Sequence, residues 1–233
     1  MASTAPPRLY FAYGSNLSPT QMSLRCPAST PLGLAHLPDH TFIINTRRYA
    51  NVVPNGPVNP AEPAAAAAVA TTTNPVSCPA PALAAPAPSS PPSPAAAPGV
   101  YGVLYALPPQ DEATLDRCEG VPDAYQKQHL TVSIVNLTSD GTAINLIADS
   151  NVPALVYVDT ARTEPSTTPW PEYIDRMNRG VDEATERFKL PRGYVDEVIR
   201  GYIPAAASEN EKDEAGGVRE GKKTIKDPFL EIS

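Results

Sequence analysis

Apolar positions along this chain follow two spacings, and the switch between them divides it. Leu9-Tyr10-Phe11-Ala12-Tyr13 is a short apolar and aromatic run ending at Gly14, the pattern of a buried strand. Ser18-Pro19-Thr20-Gln21 then carries three helix-start signals: an N-cap serine, a proline suited to N1 and a glutamine that completes a capping box. Pro27 stops that helix early. Strands are predicted at Leu32–Leu37 and Thr41–Thr46, joined at Pro38-Asp39, and at Val100–Leu107, where Gly102 suggests a bulge or a close backbone approach. Gln110–Cys118 reads as a helix with Leu115 and Cys118 facing inward and Gly120 as its terminator. Leu130, Val132 and Ile134 alternate with polar neighbours. Ser139-Asp140-Gly141 supplies a hairpin turn, and Ala143–Ile147 and Ala154–Val158 continue the sheet. From Pro171 the period becomes helical, through Tyr173, Ile174, Met177, Val181, Ala184 and Phe188, and a last helix carries Tyr194, Val195, Val198 and Ile199. This order predicts an α+β fold, a small mixed and mainly antiparallel β-barrel with short flanking helices, rather than alternating βαβ units.

Composition changes the picture in the middle and at the end. Residues 57–98 are mostly Pro and Ala and contain no aromatic residue, so the segment cannot offset the entropy of ordering its backbone. It reads as a mobile insertion, and the alanine run at 64–68 is too short for a stable helix. Residues 205–233 form a charged C-terminal extension in which Pro228–Ile232 could dock on the body. One domain over residues 8–204 accounts for the rest.

The net charge of −7, with no basic cluster, argues against a nucleic-acid partner. Arg47-Arg48 and Lys222-Lys223 are isolated pairs that read as solvated surface. Three cysteines, Cys26, Cys78 and Cys118, form neither a disulfide framework nor a zinc-ligand spacing, so no structural metal is expected. The N-terminus lacks the basic and apolar regions of a leader, and no stretch has the composition of a membrane span. The expectation is a reduced, cytoplasmic, soluble protein without a membrane partner.

Two places carry candidate chemistry. In Tyr13-Gly14-Ser15-Asn16-Leu17, a glycine directly after a strand allows a sharp turn with exposed N–H groups. The helix starting at Ser18 adds its positive end, which suits a carboxylate or developing oxyanion. The same residues also make an ordinary strand-to-helix turn. In Cys118-Glu119-Gly120-Val121, a glutamate at a helix C-terminus opposes the macrodipole, and burial would ready it for proton transfer near neutral pH. The alternative is a solvent-facing glutamate before a C-cap glycine. Tyr125, six residues on, could hydrogen-bond substrate or pack on the barrel. His36, His40 and His129 lack a nucleophile at a recognisable spacing and read as surface or structural, and Cys118 reads as a core thiol.

Tyr13-Gly14-Ser15-Asn16-Leu17 after an apolar strand resembles the signature of the γ-glutamylcyclotransferase family. Val100–Tyr105, then Leu115-Asp116-Arg117-Cys118-Glu119-Gly120-Val121 and Tyr125, resembles that family's second block. Pro165-Ser166, Tyr173-Ile174, Gly180 and Leu190-Pro191-Arg192-Gly193-Tyr194 resemble its ending. The resemblance runs from Arg8 to Pro204, interrupted by the Pro/Ala insertion. The loop differs from the Tyr-Gly-Ser-Leu-x-Trp of glutathione-specific relatives and the Tyr-Gly-Thr-Leu of the γ-glutamylamine branch. Pro122-Asp123-Ala124 departs from the family, which often has glycine before the tyrosine.

The resemblance implies release of 5-oxoproline from a small-molecule γ-glutamyl substrate by intramolecular aminolysis, without a cofactor. Glu119 would be the general acid/base, and Tyr13, Gly14, Ser15, Asn16, Leu17 and Tyr125 would bind substrate. The alternatives are another proton-transfer reaction on a specialised metabolite, and a non-catalytic binding module that recruits partners through the insertion. A homodimer is left open.

Overall fold

The computed structural model describes residues 7–56, 99–138, 147–166 and 168–206. Its centre is a closed five-stranded barrel in the order β1-β5-β2-β6-β7. The strands are β1 (Arg8–Ala12), β2 (Thr30–Pro38), β5 (Gly99–Leu107), β6 (Gln126–Leu137) and β7 (Asn151–Val158). Neighbours pair antiparallel except β1 and β7, which close the barrel in parallel at Tyr10↔Leu155. Closure removes the free edges that an open sheet would expose. Gly102 on β5 allows a close approach in the wall. A Cβ there would lie 2.5 Å from the Ala12 carbonyl oxygen and 2.7 Å from the Phe11 ring.

A separate two-stranded sheet pairs β3 (His40–Ile44) with β4 (Ala50–Pro54). The strand β4 was not predicted, because Asn51 and Pro54 break its apolar alternation. Asn51 is fully buried and locks β4 to the end of β7, donating to the Asp159 carbonyl (2.9 Å) and accepting from the Asp159 N–H (3.0 Å). Asn45 Nδ2 donates to Asp159 Oδ2 (2.8 Å), and Arg162 pairs with the same carboxylate. A buried polar network satisfied in this way rigidifies what it joins. It holds the β3–β4 turn, residues 46–49, over the barrel mouth.

The helices are α1 (Pro19–Arg25), α2 (Pro109–Glu119), α3 (Pro171–Phe188) and α4 (Arg192–Glu197), with 3-10 turns at Ser15–Leu17 and Ile199–Gly201. Ser18 caps α1 through Gln21 N–H (3.0 Å) as predicted, and Pro19 occupies its first turn. The capping box is only half formed. The Gln21 side chain turns to Ser15 Oγ (2.9 Å) and Asn16 Oδ1 (2.8 Å), because those buried acceptors offer it partners that water cannot. Helix α3 buries Tyr173, Met177, Val181, Ala184 and Phe188 along one stripe, and Gly180 in that stripe faces Leu17.

Other elements follow their apolar patterns, with ends shifted by a few residues. The hairpin turn at Ser139–Gly141, the insertion with Cys78, and the extension beyond residue 206 lie outside the described residues. So does the strand expected at Ala143–Ile147 apart from Ile147, which is exposed and in no strand. Among the described residues, no helix is long and apolar enough to cross a membrane.

Candidate active site

The strand β1 delivers Tyr13 and Gly14 to the barrel mouth, where the chain tightens into the 3-10 turn Ser15–Leu17. Asn16 is buried at the centre of this turn. Its Nδ2 donates to Tyr10 Oη (2.9 Å) and Glu119 Oε1 (3.0 Å). Its Oδ1 accepts from Gln21 Nε2 (2.8 Å) and Arg25 Nη1 (3.2 Å), and its carbonyl accepts from Tyr105 Oη (3.0 Å).

Glu119 is the last residue of α2, and Gly120 ends the helix in the left-handed conformation at φ 67°. That αL residue lets the chain turn away while leaving the carboxylate at the helix end. Arg25 Nη1 lies 3.5 Å from Glu119 Oε1; the Arg25 side chain is 3% exposed and the Glu119 side chain 16%. The carboxylate is therefore pinned by an amide and a cation on one side, while part of it opens onto a cavity of about 180 Å³.

Phenols make up much of that cavity's wall. Tyr13 donates to the Tyr157 carbonyl (2.6 Å), Tyr125 to the Ala50 carbonyl (2.7 Å) and Tyr157 to Asp116 Oδ1 (2.7 Å). Tyr173 accepts from Ala50 N–H (3.2 Å). Burial, before any other cause, pushes the proton affinities of Tyr10, Tyr13 and Tyr125 well above the ordinary phenol value, and the field of Glu119 adds to it. Near neutral pH these phenols are neutral donors. Arg176 reaches Ser15 Oγ (3.3 Å) and pairs with Glu172 (3.4 Å). Cys118 is buried at the cavity wall, and burial raises the neighbouring Cys26 thiol to about 12.

Residues 99–198 match the family model described as the AIG2-like family. That stretch contains Glu119, Tyr125, Tyr173 and Arg176 but not the loop at Tyr13–Leu17. The whole architecture resembles a solved structure of γ-glutamyl cyclotransferase, at 18% identity and a TM-score of 0.51, over 90% of this chain and 99% of that one. The chain has a γ-glutamylcyclotransferase-like fold. An uncharacterized human protein shares it at 19% identity and a TM-score of 0.52, over 90% and 98% of the two chains. So does YkqA from Bacillus subtilis, at 17% identity and 0.50, over 87% of this chain and 57% of that one. No curated protein matches at the sequence level.

On this γ-glutamylcyclotransferase-like scaffold, Tyr13, Gly14, Ser15, Asn16, Glu119 and Tyr125 gather around one cavity. Leu17 does not join them. It is fully buried, with its Cβ 3.0 Å from where a Cβ on Gly180 would sit. The positive end of α1 also faces elsewhere, since Ser18 Oγ (3.0 Å) and Thr20 N–H (2.9 Å) both donate to Glu183 on α3. This corrects the expectation that the helix start would serve the ligand, because a carboxylate of the fold already occupies it.

Arg47 and Arg48 are a second correction. The anchored β3–β4 turn folds them onto aromatic rings, so they are not a solvated pair. Arg48 stacks 4.0 Å over Trp170, and Arg47 lies against Tyr49 and Tyr125.

None of the three histidines lines the cavity. His36 is buried with its ring 4.7 Å from that of Tyr101, and His40 Nδ1 contacts the Pro38 carbonyl.

Sequence reasoning missed Tyr10, Arg25, Arg47, Tyr157, Tyr173 and Arg176. A signal existed for Arg25, which shares a helix face with Gln21 at i,i+4, and for Tyr173 and Arg176 at i,i+3. Arg47 and Tyr157 gave no such signal. Among the described residues no His, Cys, Asp and Glu cluster could hold a metal ion.

Proposed function

We propose that this chain is a γ-glutamylcyclotransferase that releases 5-oxoproline from a γ-glutamyl amino acid, peptide or conjugate, with Glu119 as general acid/base. The observation that supports this reading best is the placement of Glu119. Its carboxylate is held by Asn16 Nδ2 at 3.0 Å and Arg25 at 3.5 Å, and it opens onto the cavity lined by Tyr13, Gly14, Ser15 and Asn16.

In the proposed reaction the substrate's α-amine attacks its own γ-carbonyl. A C–N bond forms to close the five-membered ring, and the original γ-amide C–N bond breaks. An ammonium cannot attack, so Glu119 takes one proton from it and delivers that proton to the departing nitrogen. As the tetrahedral intermediate collapses, Glu119 takes the second proton from the ring nitrogen, and this leaves with the released amine as its ammonium. Because nucleophile and electrophile share one molecule, the enzyme's main task is to hold the substrate folded. The walls suit that task. Backbone N–H groups of the Gly14–Asn16 turn would face the substrate carboxylate or the tetrahedral oxyanion, and the phenols of Tyr10 and Tyr173, which accept bonds within the fold, would add their O–H groups as donors. Ser15 needs no nucleophilic role, as its Oγ already accepts from Gln21 and Arg176.

The test is 5-oxoproline release from γ-glutamyl dipeptides, glutathione and γ-glutamyl conjugates, with Glu119→Gln beside the wild type. Glu119→Gln keeps an acceptor for Asn16 but removes the base. It should lower kcat by about 10²- to 10⁴-fold, the usual share of general acid–base catalysis, with little change in Tm. A folded variant that turns over at the wild-type rate would remove Glu119 from the mechanism. No release from any substrate would direct attention to another proton transfer on the same scaffold, and ligand binding without turnover to a binding module.

A further inference from the structure

Arg47 is held in the β3–β4 turn by its main chain. Its N–H donates to Asn45 Oδ1 (3.0 Å) and its carbonyl accepts from Trp170 Nε1 (3.0 Å). Neither contact requires its side chain. The guanidinium instead lies 5.8 Å from the Tyr49 ring centre and 5.6 Å from that of Tyr125, and both rings line the cavity. Its Nη1 is buried and has no hydrogen-bond partner among the described residues. A buried charged donor without an acceptor is costly, so its persistence at a cavity points to an acceptor that a ligand supplies. Placing a guanidinium against aromatic rings also leaves its N–H edge available to a planar anion.

Arg47 as a whole is half-buried, and the other arginines that line the cavity are engaged within the fold, the exposed Arg117 by donating to Thr114 Oγ1 (3.2 Å). Arg25 contacts Asn16 and Glu119, and Arg176 contacts Ser15 and Glu172. Ring closure also decides which half of the substrate each wall can meet. The α-amine and γ-carbonyl must both sit at Glu119, and the α-carboxylate shares a carbon with that amine. This half stays near Glu119 and the Gly14–Asn16 turn. The leaving half extends from the γ-carbonyl to a wall contributed by other elements, and Arg47 comes from such an element. Tyr125 links the two regions, because its phenol lies in the fields of both Glu119 and Arg47.

Resting on the cyclotransferase reading, we infer that Arg47 forms a subsite for a carboxylate on the leaving amine, so that γ-glutamyl amino acids are preferred over γ-glutamyl conjugates of uncharged amines.

The test compares γ-glutamylalanine with γ-glutamylethylamide, which lacks only that carboxylate, in wild type, Arg47→Met and Arg47→Lys. The wild type should favour the acid in kcat/KM. Arg47→Met should lower the acid-to-amide ratio by about 10- to 100-fold, the worth of a charge-assisted hydrogen-bonded pair, and Arg47→Lys should keep part of it. Equal losses on both substrates would place Arg47 on the α-carboxylate or in the scaffold and overturn the inference, as would an unchanged ratio. Thermal unfolding of each variant separates a lost subsite from a lost fold.

Calorimetric binding of both ligands to Glu119→Gln, with and without Arg47→Met, reads the subsite independently of turnover. Tighter binding of the acid that Arg47→Met abolishes would support the subsite even if the wild type released no 5-oxoproline, in which case only the cyclotransferase reading falls. Equal binding of the two ligands, or no binding of the acid, would overturn the subsite.

Discussion

Asn16 uses both ends of its side-chain amide within the fold. Its Nδ2 serves Tyr10 and Glu119, and its Oδ1 serves Gln21 and Arg25. Two donors converge on one end and two acceptors are reached from the other, which fixes the amide's orientation. Asn16→Ala would leave Gln21 and Arg25 without that acceptor in a buried setting. Each unsatisfied group costs about 1–3 kcal/mol, so a loss of about 2–4 kcal/mol is expected in urea unfolding. Glu119 would also lose its positioning donor. On the proposed mechanism, the expected kinetic signature with a γ-glutamyl substrate is a fall in kcat by about 10- to 100-fold, larger than any rise in KM, because a base that wanders loses geometry before affinity. Asn16 and Glu119 were both legible as candidates from the sequence, one in a glycine turn and one before a C-cap glycine. Their hydrogen bond was not, since 103 positions separate them in the chain.

At the scale of elements, the 3-10 turn is shaped from outside by α3. Gly180 lies mid-helix, where glycine costs about 1 kcal/mol relative to alanine. A Cβ there would come 3.0 Å from Leu17 Cβ and 3.3 Å from Ser18 N. Gly180→Ala would therefore trade a gain in helix propensity against overpacking. Gly180→Val would overpack by about 1–3 kcal/mol and push the Ser15–Leu17 turn off Glu119. Its expected outcome is a lower Tm together with a lower kcat/KM for the proposed γ-glutamyl substrate. A variant with a lowered Tm and unchanged kinetics would show that the turn holds its shape without α3. The apolar periods of β1, α2 and α3 made these elements readable in advance, because each buries one face. The strand β4 was not readable, since its decisive residue, Asn51, is a buried polar group whose partner lies beyond the end of β7.

For the whole molecule, closing the barrel and capping its mouth buries phenols and a thiol whose neutral forms the fold prefers. Burial raises Tyr10, Tyr13, Tyr105 and Tyr125 well above the ordinary tyrosine value, and Cys26 from 9.0 to about 12. A group whose proton affinity is raised by folding contributes stability that is complete below its unfolded value and lost as pH rises toward its folded one. The contribution of these groups should be constant between pH 6 and about 8, with a steepening loss above about pH 9 to 10. Urea midpoints measured from pH 6 to 11 would show it, and a midpoint that stayed constant to pH 11 would contradict the burial of these groups. The Cys26 thiol should likewise resist iodoacetamide at pH 8 in the folded protein and react readily in urea.

The sequence by itself determined the elements whose apolar residues repeat at one spacing, the order of those elements, and the two short motifs that bear Asn16 and Glu119. These are local properties, set by neighbours within a few residues. Tertiary structure alone decided that Leu17 turns into the core, that Glu183 and not a ligand takes the positive end of α1, and that Arg25, Arg47 and Arg176 stand at the cavity. Each of these depends on which distant side chain reaches a charge or fills a gap first. Barrel closure and the Asp159 network settle that competition, and neither leaves a period in the chain that could be read in advance.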